Sequence, residues 1–148
     1  LRLLEKQAVV AGGGVNHRIG LFDQVLIKDN HLALAGITPG EAVRIAARRA
    51  RRPIEVEVTD IKGMEEAVTA GADVVLLDNF KPARVARAVK RARSLARRLR
   101  RKVEIEISGG VTLRNARRYA QANPDRISVG ALTHSAPALD ISLELEKA

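Results

Sequence analysis

The sequence contains no cysteine and no tryptophan, and aromatic residues make up only 2% of it. The missing cysteine excludes a disulfide scaffold, a cysteine-ligated zinc site and a thiol nucleophile. It also fits a reducing, cytoplasmic setting. With so few rings, the core must be built from valine, leucine, isoleucine and alanine. No apolar stretch approaches the roughly 20 residues of a membrane-spanning helix, and the first ten residues lack the apolar run of a secretory signal, so no membrane partner is expected. What is present suits one globular domain: 148 residues, 46% hydrophobic and 29% charged. The chain opens on leucine rather than methionine, as a fragment or an engineered piece would.

Acidic charge is also scarce in one place. The formal net charge is +9, a balance that by itself suggests a nucleic-acid partner. The excess is local, however. Lys81 to Lys102 (KPARVARAVKRARSLARRLRRK) carries eleven basic residues and no acid, and the remainder holds 15 basic against 17 acidic residues. Within the segment Val85, Val89, Ala92, Leu95 and Leu99 recur at helical spacing, which predicts an amphipathic helix with a cationic outer face. A solvated face explains that charge, with nucleic-acid binding through the helix as the alternative. No aromatics are interleaved for base stacking and no zinc-finger spacing is present.

Along the chain, strand and helix patterns alternate. Residues 3–10 read as a helix that stops at Gly12-Gly13-Gly14. Phe22 to Ile27 (FDQVLI) reads as a strand. Thr38-Pro39 supplies an N-cap and a first-turn proline for a helix reaching about Arg51. Strands are predicted at Ile54–Val58 (IEVEV), Val74–Leu77 (VVLL), Val103–Ile107 (VEIEI) and Arg126–Val129 (RISV). Helices are predicted over 61–70, from Pro82 onward, and over 113–122 behind Thr112. Leu139–Leu143 reads as a last strand, or Leu139–Lys147 as a helix. Short strands alternating with helices predict an α/β fold with parallel strands and helical crossovers. A doubly wound sheet and a (β/α) barrel both fit. A complete barrel takes about 250 residues, so this chain has room for five or six βα units of a partial, TIM-like barrel.

The polar residues gather where such folds carry their chemistry, at the carboxyl ends of the strands. The first strand ends at Lys28-Asp29-Asn30-His31, the second carries Glu57, and the third ends at Asp78-Asn79. The fourth ends at Ser108-Gly109-Gly110, and the fifth at Gly130, shortly before Thr133-His134-Ser135. Two strands also alternate internally: Glu55 and Glu57 share one face, as do Glu104 and Glu106. Buried parallel strands are normally apolar throughout. An edge strand with one wet face is one explanation, and a polar barrel lumen beneath an active site is the other. Ser-Gly-Gly before a helix is either a plain turn or a phosphate cradle of bare backbone N–H groups. Two carboxylates ending adjacent strands can hold Mg²⁺ together with ligand oxygens. Lys28 and His17-Arg18 suit a carboxylate or phosphate. Together these features point to a polyanion bound with Mg²⁺, of which a phosphosugar is one candidate.

The motifs GGGVNHRIGLFDQVLIKDNH (Gly12 to His31), VEV with Glu57, LLDNF (Leu76 to Phe80), ISGGV (Ile107 to Val111) and ISVGALTHS (Ile127 to Ser135) occur in that order. Together they resemble the quinolinate phosphoribosyltransferases, and the resemblance covers nearly the whole chain. It implies an enzyme of NAD biosynthesis that joins quinolinate to 5-phosphoribosyl-1-pyrophosphate with Mg²⁺, releasing nicotinate mononucleotide, pyrophosphate and CO₂. It also implies an incomplete α/β barrel behind an N-terminal sandwich domain, assembled as a homo-oligomer. By resemblance, His17, Arg18 and Lys28 are quinolinate ligands. Glu57 and Asp78 serve the ribose hydroxyls and Mg²⁺, directly or indirectly. Ser108, Gly109, Gly110 and Gly130 form the 5′-phosphate cradle, with His134 near that phosphate.

The same resemblance marks what has no counterpart in residues 1–148: the sandwich domain, an early barrel segment with an Arg-Lys pair, and an arginine from a neighbouring subunit. The chain alone is therefore expected to be a very poor catalyst. It is expected to self-associate, to pair with an N-terminal half, or to open towards a flavodoxin-like sheet. Two other readings stand beside the enzyme: a non-catalytic phosphosugar-binding barrel fragment, and the related nicotinate phosphoribosyltransferase. The GGVNHR and IKDNH pairing favours the quinolinate enzyme over the latter.

Overall fold

A computed structural model of the chain describes residues 1–146. Its elements run α1 (Arg2–Ala11), β1 (Val25–Ile27), α2 (Asp29–Ala35), α3 (Pro39–Arg49), β2 (Ile54–Val58), α4 (Ile61–Ala70), β3 (Val74–Asp78), α5 (Pro82–Arg98), β4 (Glu104–Ser108), α6 (Leu113–Ala120), β5 (Arg126–Ile127) and α7 (Ala131–His134). All five strands are parallel and lie side by side in chain order, β1-β2-β3-β4-β5. A flavodoxin-like sheet needs a reversal of strand order at a switch point. None occurs here, so the open-sheet alternative is not adopted and the topology is that of successive barrel units. β1 and β5 each have one partner among the described residues.

The pleat sorts side chains onto two faces. Ile27, Ile54, Val56, Val58, Val75, Leu77, Ile105 and Ile107 face the helices and join one core. α5 adds Val85, Ala88, Val89, Ala92 and Ala96 to it, the apolar stripe that its spacing predicts. α3 and α4 pack closely enough that a Cβ on Gly40 would lie 3.2 Å from the Glu66 carbonyl oxygen. Glycine is what allows that approach. Thr38 and Glu41 form a reciprocal cap on α3: Glu41 N–H donates to Thr38 Oγ1 at 3.3 Å and Thr38 N–H to Glu41 Oε2 at 2.8 Å. Asp73 accepts from Ile54 N–H and Asp125 from Ile105 N–H, both at 2.8 Å, so each carboxylate closes the start of the neighbouring strand.

Several boundaries differ from the sequence reading. The first strand begins at Val25, not Phe22. Asp23 accepts the N–H groups of Ile19 (2.8 Å) and Gly20 (3.3 Å), and this turn holds the preceding residues out of the sheet. A short helix, α2, follows β1 directly. The His31 ring accepts Lys28 N–H at 3.0 Å, and Gly36 ends the helix at φ +63°. The fifth strand stops at Ile127 because the chain turns into α7 at Gly130. Residues 135–146 form neither the last strand nor a helix. Leu139, Ile141, Leu143 and Leu145 are exposed there, with no apolar surface against them to hold a regular element. Lys147, the end of the helical alternative, lies outside the described residues.

Leu77, the penultimate residue of β3, is fully buried. Leu77→Ala is expected to destabilise the fold by about 2–5 kcal/mol. Asp73→Ala, which orphans a strand N–H, is expected to cost about 1–3 kcal/mol. Urea unfolding checks both, with a lowered midpoint and an unchanged slope.

Candidate active site

The sheet face away from the helix-packed core carries Leu26, Glu55, Glu57, Val74, Leu76, Asp78, Glu104, Glu106, Ser108 and Arg126, as the register dictates. β2 and β4, the two Glu-bearing strands, are interior strands of the sheet. Their alternation is therefore not that of an edge with one wet side. It marks a polar lumen.

Two lumen glutamates are buried, Glu55 at 0% and Glu106 at 1% exposure. In register Glu55 pairs with Val74, and Val74 with Glu104. In a barrel the register climbs about one residue per strand. That tilt brings Glu106, rather than Glu104, level with Glu55. His17 sits against both, with Nε2 3.3 Å from Glu55 Oε2 and 3.8 Å from Glu106 Oε1. Gln24 donates to Glu55 Oε2, and Ser128 Oγ donates to Glu106 Oε1. Arg126 pairs with Glu104 and lies 3.9 Å from Glu106 Oε2, an oxygen with no hydrogen bond of its own. The hydrogen bond that the ring donates to Glu55 raises the His17 imidazole above its ordinary value, against the opposing effect of burial. Burial also raises the Glu106 carboxyl.

The loop that delivers His17 is tied to α1. Lys6 Nζ donates to the carbonyls of His17 (2.9 Å) and Arg18 (3.1 Å), and Asn16 Nδ2 donates to Lys6 O at 3.0 Å. Arg18 itself donates to Gln24 O at 3.2 Å, which holds its guanidinium beside β1.

At the carboxyl ends the expected residues line up across the strands. Lys28 follows β1, Glu57 is the penultimate residue of β2, Asp78 ends β3, and Ser108 ends β4 directly opposite it. Burial raises the Glu57 carboxyl first and the neighbouring Asp78 charge adds to it, with Lys28 opposing. Two carboxylates that repel each other at a strand end are a donor set suited to Mg²⁺, a hard cation that takes carboxylate oxygens and keeps some of its waters. Asp78 Oδ2 also accepts from Asn79 Nδ2 at 2.7 Å.

Gly109 (φ +89°) and Gly110 (φ +62°) both use the left-handed region. A Cβ on Gly109 would fall 2.3 Å from Asn79 Oδ1, so no other residue fits under that side chain. Asn115 closes the turn, donating to Gly110 O at 2.9 Å and accepting from Thr112 N–H at 2.8 Å. Gly130 opens α7, and the His134 ring folds back over it. His134 Nδ1 lies 2.7 Å from Ser135 Oγ.

A match to the family "Quinolinate phosphoribosyl transferase, C-terminal domain" covers residues 1–144. The chain belongs to that family. It is 45% identical over 144 residues to the probable nicotinate-nucleotide pyrophosphorylase [carboxylating] of Methanocaldococcus jannaschii, covering 96% of this chain and 50% of that protein. It is 41% identical over 148 residues to the human nicotinate-nucleotide pyrophosphorylase [carboxylating], covering 97% of this chain and 48% of that protein. The solved nicotinate-nucleotide pyrophosphorylase of Francisella tularensis matches with a TM-score of 0.80 at 40% identity, over 95% of this chain and 47% of that one. The domain thus spans about half the length of the curated relatives it matches.

The family domain is organised on two levels. Lys28, Glu57, Asp78, Ser108, Gly109, Gly110, Gly130 and His134 belong to the strand ends, whereas His17 reaches down to the buried Glu55–Glu106 level. Glu55, Glu106, Gln24, Ser128 and Arg126 were not among the residues expected in the site. The alternation in IEVEV and VEIEI was the available signal for the two glutamates. Their burial around one imidazole is a tertiary fact. The basic helix stands apart, since α5 packs on the opposite face of the sheet. Its cations are partly engaged: Arg91 pairs with Glu65, Arg93 with Asp125 at 3.4 Å, and Arg84 lies 4.3 Å over the Phe80 ring. Among the described residues no helix is long and apolar enough to cross a membrane.

His17, Glu57 and Glu106 all hold protons more readily in the folded chain than their ordinary values allow. For His17 the stabilisation is complete below about pH 6.5, its usual value, and is lost as pH rises through the raised one. The two carboxylates act in the same sense at lower pH. The melting temperature is therefore expected to fall from pH 6 to pH 8, and His17→Gln to flatten that fall. An equally steep fall in the variant, followed by calorimetry, would contradict the His17 ion pair.

Proposed function

We propose that this domain carries the phosphoribosyl-binding half of a reaction that joins 5-phosphoribosyl-1-pyrophosphate to quinolinate, within NAD biosynthesis. The observation that supports it is the alignment of Lys28, Glu57, Asp78, Ser108 and Gly130 along the ends of five adjacent strands. Cations, an acid pair and a glycine cradle are what this donor and acceptor require. Ser108, Gly109, Gly110 and Gly130 receive the 5′-phosphate through bare N–H groups, with His134 beside them. His17, Arg18 and Lys28 neutralise the two quinolinate carboxylates and hold the ring nitrogen towards the ribose.

In the reaction the C1–oxygen bond to pyrophosphate breaks and the ring nitrogen forms the new bond to C1. The ribose ring gains positive charge as pyrophosphate leaves, and the Glu57 and Asp78 carboxylates stabilise it. Loss of CO₂ from the carboxyl beside that nitrogen leaves an electron pair that takes up a proton, giving nicotinate mononucleotide. Glu57 and Asp78 are also the residues that would hold Mg²⁺, which supplies charge neutralisation for the departing pyrophosphate. The acid pair and cradle are assigned to this chain, and the further substrate cations to N-terminal segments outside residues 1–148. A cytoplasmic location belongs to the same reading.

Calorimetric titration with 5-phosphoribosyl-1-pyrophosphate, with and without Mg²⁺, tests the assignment. Mg²⁺-dependent binding that Ser108→Asp weakens at least tenfold is expected, because a carboxylate then sits in the phosphate cradle. No binding to a demonstrably folded chain would refute the assignment. Binding of both substrates without turnover even when an N-terminal half is supplied would favour a non-catalytic phosphosugar-binding module.

A further inference from the structure

The resemblance gives a role to His17 but none to the two glutamates beneath it. Glu55 and Glu106 are buried carboxylates on different interior strands, and both meet the same ring nitrogen, Nε2. Each is itself held in place. Gln24 fixes Glu55 and Ser128 fixes Glu106, so the ring meets a rigid acceptor pair rather than two mobile side chains. The other ring nitrogen, Nδ1, has no hydrogen-bond partner among the described residues. An imidazole hydrogen-bonded to a carboxylate through one nitrogen has its orientation set there, and in the doubly protonated ring the second N–H is left to donate elsewhere.

We propose that Glu55, assisted by Glu106, is a positioning residue that fixes His17 as an oriented cation, with Nδ1–H left as the donor to a carboxylate of the aromatic diacid substrate. The substrate part rests on the function proposed above. The geometry of the pair does not. Neither glutamate touches the substrate in this account, and both act through His17. The arrangement also explains why two of the lumen glutamates are fully buried. A neutral His17 would leave both without a cation at Nε2. The charged groups that bear on the ring are Glu55 from β2, Glu106 from β4 and Arg18 beside it in the loop. The carboxylates favour the imidazolium, and Arg18 and burial oppose it, so the carboxylates outweigh the rest. Arg126 bears on Glu106 from β5 and limits that carboxylate's share.

The test is imidazole NMR on the full chain. The sequence has three histidines, and His17→Gln assigns the His17 signals. Glu55→Gln keeps the shape and removes the charge. It is expected to lower the His17 titration midpoint by about one pH unit or more, the usual effect of losing an opposite charge at hydrogen-bond distance. Glu106→Gln is expected to lower it less, because Glu106 lies farther from the ring. Quinolinate affinity is expected to fall about tenfold in Glu55→Gln at pH 7.5, and by less as the pH is lowered and the ring takes up its proton. Affinity for 5-phosphoribosyl-1-pyrophosphate is expected to stay unchanged. An unshifted His17 midpoint in Glu55→Gln overturns the proposal. If that variant does not fold, an unshifted midpoint in Glu106→Gln does so. A shifted midpoint in a chain that binds no quinolinate at any pH upholds the positioning and refutes only the substrate reading.

Discussion

Parallel pairing of β2, β3 and β4 forces each of these strands to bury two faces of different character, and the rest of the molecule follows from that requirement. One face must be apolar, because four crossover helices have to pack on it without aromatic bulk. Val56, Val75, Leu77, Ile105 and Ile107 meet that need with small branched side chains, and Met64 and Phe80 fill the gaps. The other face cannot be apolar throughout, because it opens at the strand ends onto the site. It is polar at two levels, and the lower level buries charge. Burying two carboxylates is tolerable only with compensation nearby. His17 and Arg126 supply the charge, and Gln24 and Ser128 supply the hydrogen bonds.

That compensation ties the loop over residues 12–24 to the sheet. α1 contributes no buried residue to the core. It is held instead through Lys6 on the carbonyls of His17 and Arg18, and His17 in turn rests on Glu55 and Glu106. An electrostatic contact in the lumen thus positions a loop that brings two cations to the site. The strand ends are organised independently, by turn geometry. Gly109 lies beneath Asn79, and Asn115 closes the same turn from α6.

The sequence made the element order legible because each helix carried its own signals. Thr38-Pro39, Pro82 and Thr112 mark helix starts, and the Val85–Leu95 spacing marks a buried stripe. The strand-end residues were legible for a related reason, since topology sends the carboxyl end of every parallel strand to one side. Short elements were less legible. The Asp23 turn shortened β1, and α2 depends on the His31 ring accepting a backbone N–H, which no periodicity encodes. Leu139–Leu143 suggested a strand, but an apolar pattern alone does not supply a partner. The buried pair was hidden for a tertiary reason: Glu55 and Glu104 share a register level, yet barrel tilt joins Glu55 to Glu106.

The net positive charge misleads if it is read as a property of the whole surface. α5 carries most of the excess on the outside of the helix layer, whereas the lumen face is rich in acid. On the proposed function an anionic phosphosugar binds at that acid-bearing end and not along the cationic helix. A residue-resolved map of amide shifts on addition of 5-phosphoribosyl-1-pyrophosphate and Mg²⁺ tests this most directly. The changes are expected to gather at Glu57, Asp78, Ser108–Val111 and Gly130–His134. Changes concentrated on Arg84–Arg98 would contradict it.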